Sequence, residues 1–282
     1  MRYLMICSET QNQITLLGLR DYKTYGRFVL NAFGPTKALK WKNNIVTISK
    51  QNGEISFVNR QVDKHKTYYI GPYLTDFTII GSNSIILSGD SNKIVMFDNN
   101  QREIQYMIET AGLPLTIDYL NNDILVTNYE SNEMEIFSLS NREKKLSIKS
   151  KEHPLKSIFV EDGKYIISIE GFEEFEQGTI CIYDSKNGEK LESYKTCNTP
   201  VDFCYMNGFC YVCDYFKDSL WEINLANKEN KKISIHDCTP NNITSFEGRL
   251  MICSEKNNKI IEFDGNEVKK INIPSPRRID FF

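Results

Sequence analysis

Three histidines, His65, His153 and His236, stand in this chain. A centre that moves protons with an imidazole must be built on one of them. His153 sits directly before a proline at a repeat boundary, Glu170 ends the second strand of that repeat, and Asp202 stands beside the next boundary proline, Pro200. An imidazole beside one of those carboxylates is what a small-molecule hydrolase or lyase of the lactonase type would use, so His153, Glu170 and Asp202 are the catalytic candidates. His65 is expected in a loop before an outer strand, and His236 just after one. The eight cysteines offer a second chemistry. Cys210 and Cys213 form a CxxC, but residues three apart in a strand face opposite sides and cannot chelate one ion. Cys7, Cys213 and Cys253 occupy one position of three similar segments, which marks small buried apolar side chains. Glu9, Asn242 and Glu255 could offer oxygens to a calcium ion, yet nothing in their spacing demands it. GxGxxG, GxSxG, HExxH and P-loop patterns are absent. No metal and no cofactor is expected.

The elements that must position these residues are visible in one stretch, TPNNITSFEGRLMICSEKNNKIIEFD, from Thr239 to Asp264. It divides into three short apolar strands separated by Glu-Gly and Lys-Asn-Asn turns. Its opening proline recurs as Pro35, Pro72, Pro114, Pro154, Pro200, Pro240 and Pro276. A period of roughly 40 residues with three or four strands per unit marks a β-propeller blade. The fold class expected is all-β: a seven-bladed β-propeller of four-stranded antiparallel blades, one domain over residues 1–282. Leu4-Met5-Ile6-Cys7-Ser8-Glu9 nearly duplicates Leu250-Met251-Ile252-Cys253-Ser254-Glu255, but no proline-led strand precedes it. Arg278 to Phe282 has the spacing of that strand. The ring should therefore be closed by a blade built from both termini, which removes an exposed strand edge.

Two further segments, Val126-Thr127-Asn128-Tyr129-Glu130-Ser131-Asn132-Glu133 and Ser88-Gly89-Asp90-Ser91-Asn92-Lys93, resemble the bacterial YVTN repeat family, the YncE-like propellers. The resemblance covers the chain as architecture and departs from the family pattern where Cys253-Ser254 replaces the strand-end Thr-Asn pair. It implies a seven-bladed fold and a binding or scaffold role, and it carries over no catalytic residue.

In a propeller, the loops between blades and those joining second and third strands share the face around the channel mouth. That face is expected to collect Lys37, His153, Lys156, Glu170, Asp202, Asn242, Arg277 and Arg278. An insertion between Ile169 and Thr179 adds Phe172, Glu173, Glu174 and Phe175. Insertions in repeat proteins fall on one face, often the binding face. Aromatics among carboxylates suit a basic, partly apolar protein surface. The leading expectation is a non-catalytic binding or interaction scaffold with a protein or small-molecule ligand at the mouth; the alternative is the hydrolase or lyase above. A net charge of −3 on 282 residues argues against nucleic acid or an anionic membrane as partner. No segment reads as a signal peptide or a membrane span. Eight cysteines without such a signal suit free thiols in a reducing cytoplasm.

Overall fold

The second and third strands of most repeats are short apolar runs, rich in isoleucine, leucine and valine, rather than alternating patterns. Such runs must be covered on both faces. In the computed structural model, which describes residues 2–31, 34–59, 64–171, 177–265 and 268–281, they lie in the middle of seven four-stranded antiparallel sheets. Both faces of each sheet pack against neighbouring sheets. Blade 1 runs from its inner to its outer strand as Pro35–Trp41, Asn44–Ser49, Glu54–Asn59 and Lys64–Tyr69. The inner strands of blades 2 to 6 are Leu74–Ile80, Pro114–Leu120, His153–Val160, Pro200–Met206 and Asn242–Phe246. Outer strands are largely solvated, as in Glu103–Glu109 of blade 2.

Blade 7 joins the ends of the chain. Arg278–Phe281 pairs antiparallel with Tyr3–Ser8, setting Ile279 opposite Ile6 and Phe281 opposite Leu4; Gln13–Gly18 and Thr24–Val29 complete it. Ile279 is buried with Leu4, Ile6, Met251 and Cys253, and Phe281 packs against that group. Among the described residues, seven apolar clusters form the core. One of them joins Trp41, Phe57 and Val46 of blade 1 to Phe77, Ile86 and Phe97 of blade 2. All eight cysteines are free and buried, and burial pushes the thiols of Cys181, Cys197, Cys204 and Cys238 up to about 12.

The inner strands of blades 6 and 7 begin at Asn242 and Arg278 as expected, and that of blade 2 begins at Leu74, two residues past Pro72. One sequence expectation shifts. His65 lies inside the outer strand Lys64–Tyr69, opposite Val58, and not in a loop.

Two turn types recur. The turn from third to fourth strand closes with an N–H to C=O bond four residues back and ends on a left-handed residue. Tyr22, Arg102, Arg142, Gly188 and Lys228 fill that place in five blades. The turn from second to third strand puts a left-handed asparagine at Asn12, Asn92, Asn132 and Asn258, a conformation asparagine tolerates well.

Candidate binding face around the channel

An inner strand at the channel has no neighbour on one side, so its outward N–H groups need acceptors from elsewhere. The repeat supplies them from one position per blade. Register against the second strand makes Lys37, Thr116, Lys156, Asn242 and Arg278 equivalent, opposite Ile48, Thr127, Ile169, Cys253 and Cys7. Asp76 and Asp202 take the same place in blades 2 and 5, directly before Phe77 and Phe203, which pair with Ile86 and Val212.

Where this residue is an acceptor it caps the following blade. Asp76 Oδ2 accepts the N–H of Ile117 at 3.1 Å, Asp202 Oδ2 that of Ile243 at 2.9 Å, and Asn242 Oδ1 that of Ile279 at 2.9 Å. Where the preceding blade carries a lysine, which cannot accept, the aspartate caps its own following residue and receives the lysine. Asp76 Oδ1 accepts from Phe77 N at 2.8 Å and from Lys37 Nζ at 2.9 Å. Asp202 Oδ1 accepts from Phe203 N at 2.9 Å and from Lys156 Nζ at 2.6 Å, while Asn242 Nδ2 donates to Asp202 Oδ2 at 2.6 Å. Arg278 of blade 7 reaches past blade 1 to Asp76, at 3.3 Å. Two residues further along the inner strands, Asp280 accepts from Ala38 N at 3.4 Å and Asp118 from Phe159 N at 2.8 Å.

Charge balance follows this geometry. Burial acts to raise the Asp76 carboxyl, but Arg278 and Lys37 outweigh it and hold the group below its usual range. Asp118 and Asp280 are raised, above all by burial. Lys37, Lys156, Asp202, Asn242 and Arg278, expected at the mouth, are thus brought together, and they are spent on joining blades. Asp76, Asp118 and Asp280 belong to the same system.

Glu170 lies elsewhere. It is buried, accepts from the Tyr183 hydroxyl, and has Lys190 Nζ 3.9 Å away; it faces the outer strands of blade 4 and not the mouth. His153 begins the inner strand of blade 4, with Nδ1 2.9 Å from the Tyr129 carbonyl oxygen and its ring stacked on Tyr129 at 4.5 Å. Glu170 and Asp202 therefore commit their oxygens to groups other than this imidazole. Phe172, Glu173, Glu174 and Phe175 lie outside the described residues. Among the described residues no group of three or more His, Cys, Asp or Glu side chains could hold a metal ion, and no helix is long and apolar enough to cross a membrane.

What faces outward is the rim. Arg277 sits between Glu255 at 3.1 Å and Glu9 at 3.7 Å. Asn241 fixes the pair by donating to the Arg277 carbonyl oxygen at 2.8 Å and accepting from Glu255 N at 2.9 Å. Phe216, 59% exposed, meets Tyr215 edge-on at 5.0 Å. The Lys256 ammonium lies over both rings, and Lys50 lies over Tyr73 at 4.3 Å. Sequence reasoning missed Phe216, although its place beside Tyr215 in a second-to-third-strand turn was a usable signal.

No family model matches the chain, and no curated protein does. Solved structures do. A functionally unknown protein from Desulfotomaculum acetoxidans superposes with a TM-score of 0.77 at 13% identity, over 99% of this chain and 98% of that one. Apo AztD from Citrobacter koseri gives 0.71 at 12% identity, over 100% and 98%. Kuenenia stuttgartiensis hydrazine synthase gives 0.74 at 13% identity, over 83% and 77%. At these identities the likeness is one of fold: the chain is a seven-bladed β-propeller closed by its own two ends.

Proposed function

We propose that this chain is a non-catalytic binding module that holds a protein partner on the rim around the channel mouth. The observation that carries this reading is the division of labour between the two polar layers. The inner layer is consumed in joining blades, whereas the rim offers an exposed aromatic pair under a lysine beside an Arg277–Glu255 pair. Aromatic and arginine side chains of that kind anchor interfaces. The hydrolase or lyase alternative has less support, because Glu170 and Asp202 are engaged away from His153. In the same reading the chain is one bacterial, cytoplasmic propeller domain of the YVTN type. The left-handed turn asparagines and the eight buried thiols support that assignment.

A photo-crosslinking amino acid at position 216 tests the proposal in cells. Crosslinks to a defined protein should form there, should disappear with Arg277→Glu, and should be absent when the probe sits at Tyr69 on an outer strand. Equal labelling from positions 216 and 69 would overturn the rim as the site. Turnover of a lactone panel abolished by His153→Ala would overturn the non-catalytic reading.

A further inference from the structure

The same corner of the seam between neighbouring blades can be compared around the ring. Between blades 1 and 2 it is plugged: the Arg102 guanidinium of the left-handed turn lies over Phe57 at 3.4 Å and Trp41 at 5.4 Å, and the two rings meet edge-on. Between blades 6 and 7 the equivalent residues differ. Tyr22 holds the turn position, Phe246 ends the inner strand as Trp41 does, and Glu262, opposite Met251, stands where Phe57 stands opposite Val46. A carboxylate cannot carry the aromatic plug, so the seam opens into a groove of about 1320 Å³ on the face opposite the rim. Small-molecule pockets span about 300–1,000 Å³, and this groove is larger.

Its lining has a sign. Five arginine and lysine side chains stand there against three carboxylates, in a chain whose net charge is −3. Glu247 pairs with Arg2, Glu262 with Arg249 and the Tyr22 hydroxyl, and Lys270 donates to the His236 carbonyl oxygen, which leaves Arg20 and Lys269 as the lining's charge excess. Lys269 lies over the Tyr22 ring at 3.6 Å. Phe246 in the lining is stacked on Phe281 at 4.6 Å, with Arg2 over its ring. Cations held over aromatic faces and open to solvent suit an anion attached to an apolar body.

We propose that the groove between blades 6 and 7 is a second binding site, separate from the rim, and that it takes an acidic peptide segment carrying an aromatic or long aliphatic side chain. The volume of the groove favours a peptide segment over a small molecule, and its charge excess selects carboxylate-bearing sequences. Random peptides displayed on phage, selected on the full chain, test this. Enriched peptides should be net negative and carry an aromatic or large apolar residue. The most enriched peptide, made synthetically with a fluorescein label, should bind about tenfold more weakly to Arg20→Glu/Lys269→Glu, equivalent to about 1.4 kcal/mol. Both substituted positions are exposed, and circular dichroism below the variant's melt establishes that it is folded when binding is read. Phe216→Ala should leave binding unchanged. Absence of enrichment, enrichment of basic peptides, or binding indifferent to Arg20→Glu/Lys269→Glu overturns the proposal. Binding lost with Phe216→Ala instead assigns the peptide to the rim and overturns only this second site. Dimerisation abolished by Arg20→Glu/Lys269→Glu would make a second copy of the chain the occupant and also overturn it.

Discussion

Asp202→Ala removes the acceptor on which two blades converge. Asp202 is 6% exposed, and its two oxygens satisfy Phe203 N, Ile243 N, Lys156 and Asn242. Each buried N–H left without an acceptor costs about 1–3 kcal/mol. Removing one partner of a largely buried ion pair costs about 3–5 kcal/mol when the other charge is stranded. Lys156 keeps a 24% exposed side chain and can turn partly to water, and losses within one network do not add. A net destabilisation of about 3–5 kcal/mol follows. With an unfolding entropy of about 2.1 cal/mol/K per residue over 282 residues, the melting temperature should fall by about 5–8 °C by circular dichroism or calorimetry. Thr116→Ala is the matched control: Thr116 holds the equivalent place but bonds Thr127 within its own blade, so its loss should cost about 1 kcal/mol. Adding Lys156→Met to Asp202→Ala should recover part of the deficit by removing the stranded ammonium. If Asp202→Ala melts within about 2 °C of the parent, or no worse than Thr116→Ala, the inner polar layer does not hold the blades together.

Deleting residues 278–282 removes the buried Ile279, its partner Phe281 and the Asp280 cap on Ala38. The product should be insoluble or melt more than about 10 °C lower, since two apolar side chains alone are worth about 1.5–3 kcal/mol each; a melt within about 3 °C of the parent would refute ring closure as a stabilising device. Asp118→Asn tests the pH sign. Burial raises the folded carboxyl above its unfolded value, so its stabilising contribution is complete below the unfolded pKa and is lost as pH rises through the folded one. Asparagine still accepts from Phe159 N without carrying the charge, so the variant should melt higher than the parent at pH 7 and equally near pH 3; a lower melt at pH 7 would contradict this.

The propeller, its seven blades and the joining of its ends were readable because turn chemistry and apolar runs repeat with one period, and a strand missing at one end reappears at the other. Lys37, Lys156, Asp202, Asn242 and Arg278 were readable as a set because each stands two residues after its proline. Asp76 stands four after Pro72 and was missed; counting back from the second strand would have found it. Their role was not readable. A residue on an innermost strand can turn to solvent or to the next blade, and that choice depends on whether the neighbouring N–H already has an acceptor, a fact belonging to another repeat. Glu170 was misplaced for a similar reason, since Tyr183 and Lys190 draw it into the blade. The groove needed three residues as distant in sequence as Tyr22, Phe246 and Glu262 to be compared with their counterparts in another seam.

The bond from Ala38 to Asp280 spans 242 residues, and this separation sets an order on the ribosome. Blade 1 emerges well before Arg278–Phe281 and presents an inner edge whose Ala38 N–H receives its acceptor only with that strand. Until then blade 1 stays unfinished and the nascent ring keeps an open edge, the condition under which strands pair with the wrong partner. Slow translation of the last repeat, or depletion of chaperones that shield exposed strands, should therefore lower the soluble yield more than slow translation of any middle repeat. Synonymous slow codons placed in one repeat at a time would measure it, and equal yields across repeats would remove the point.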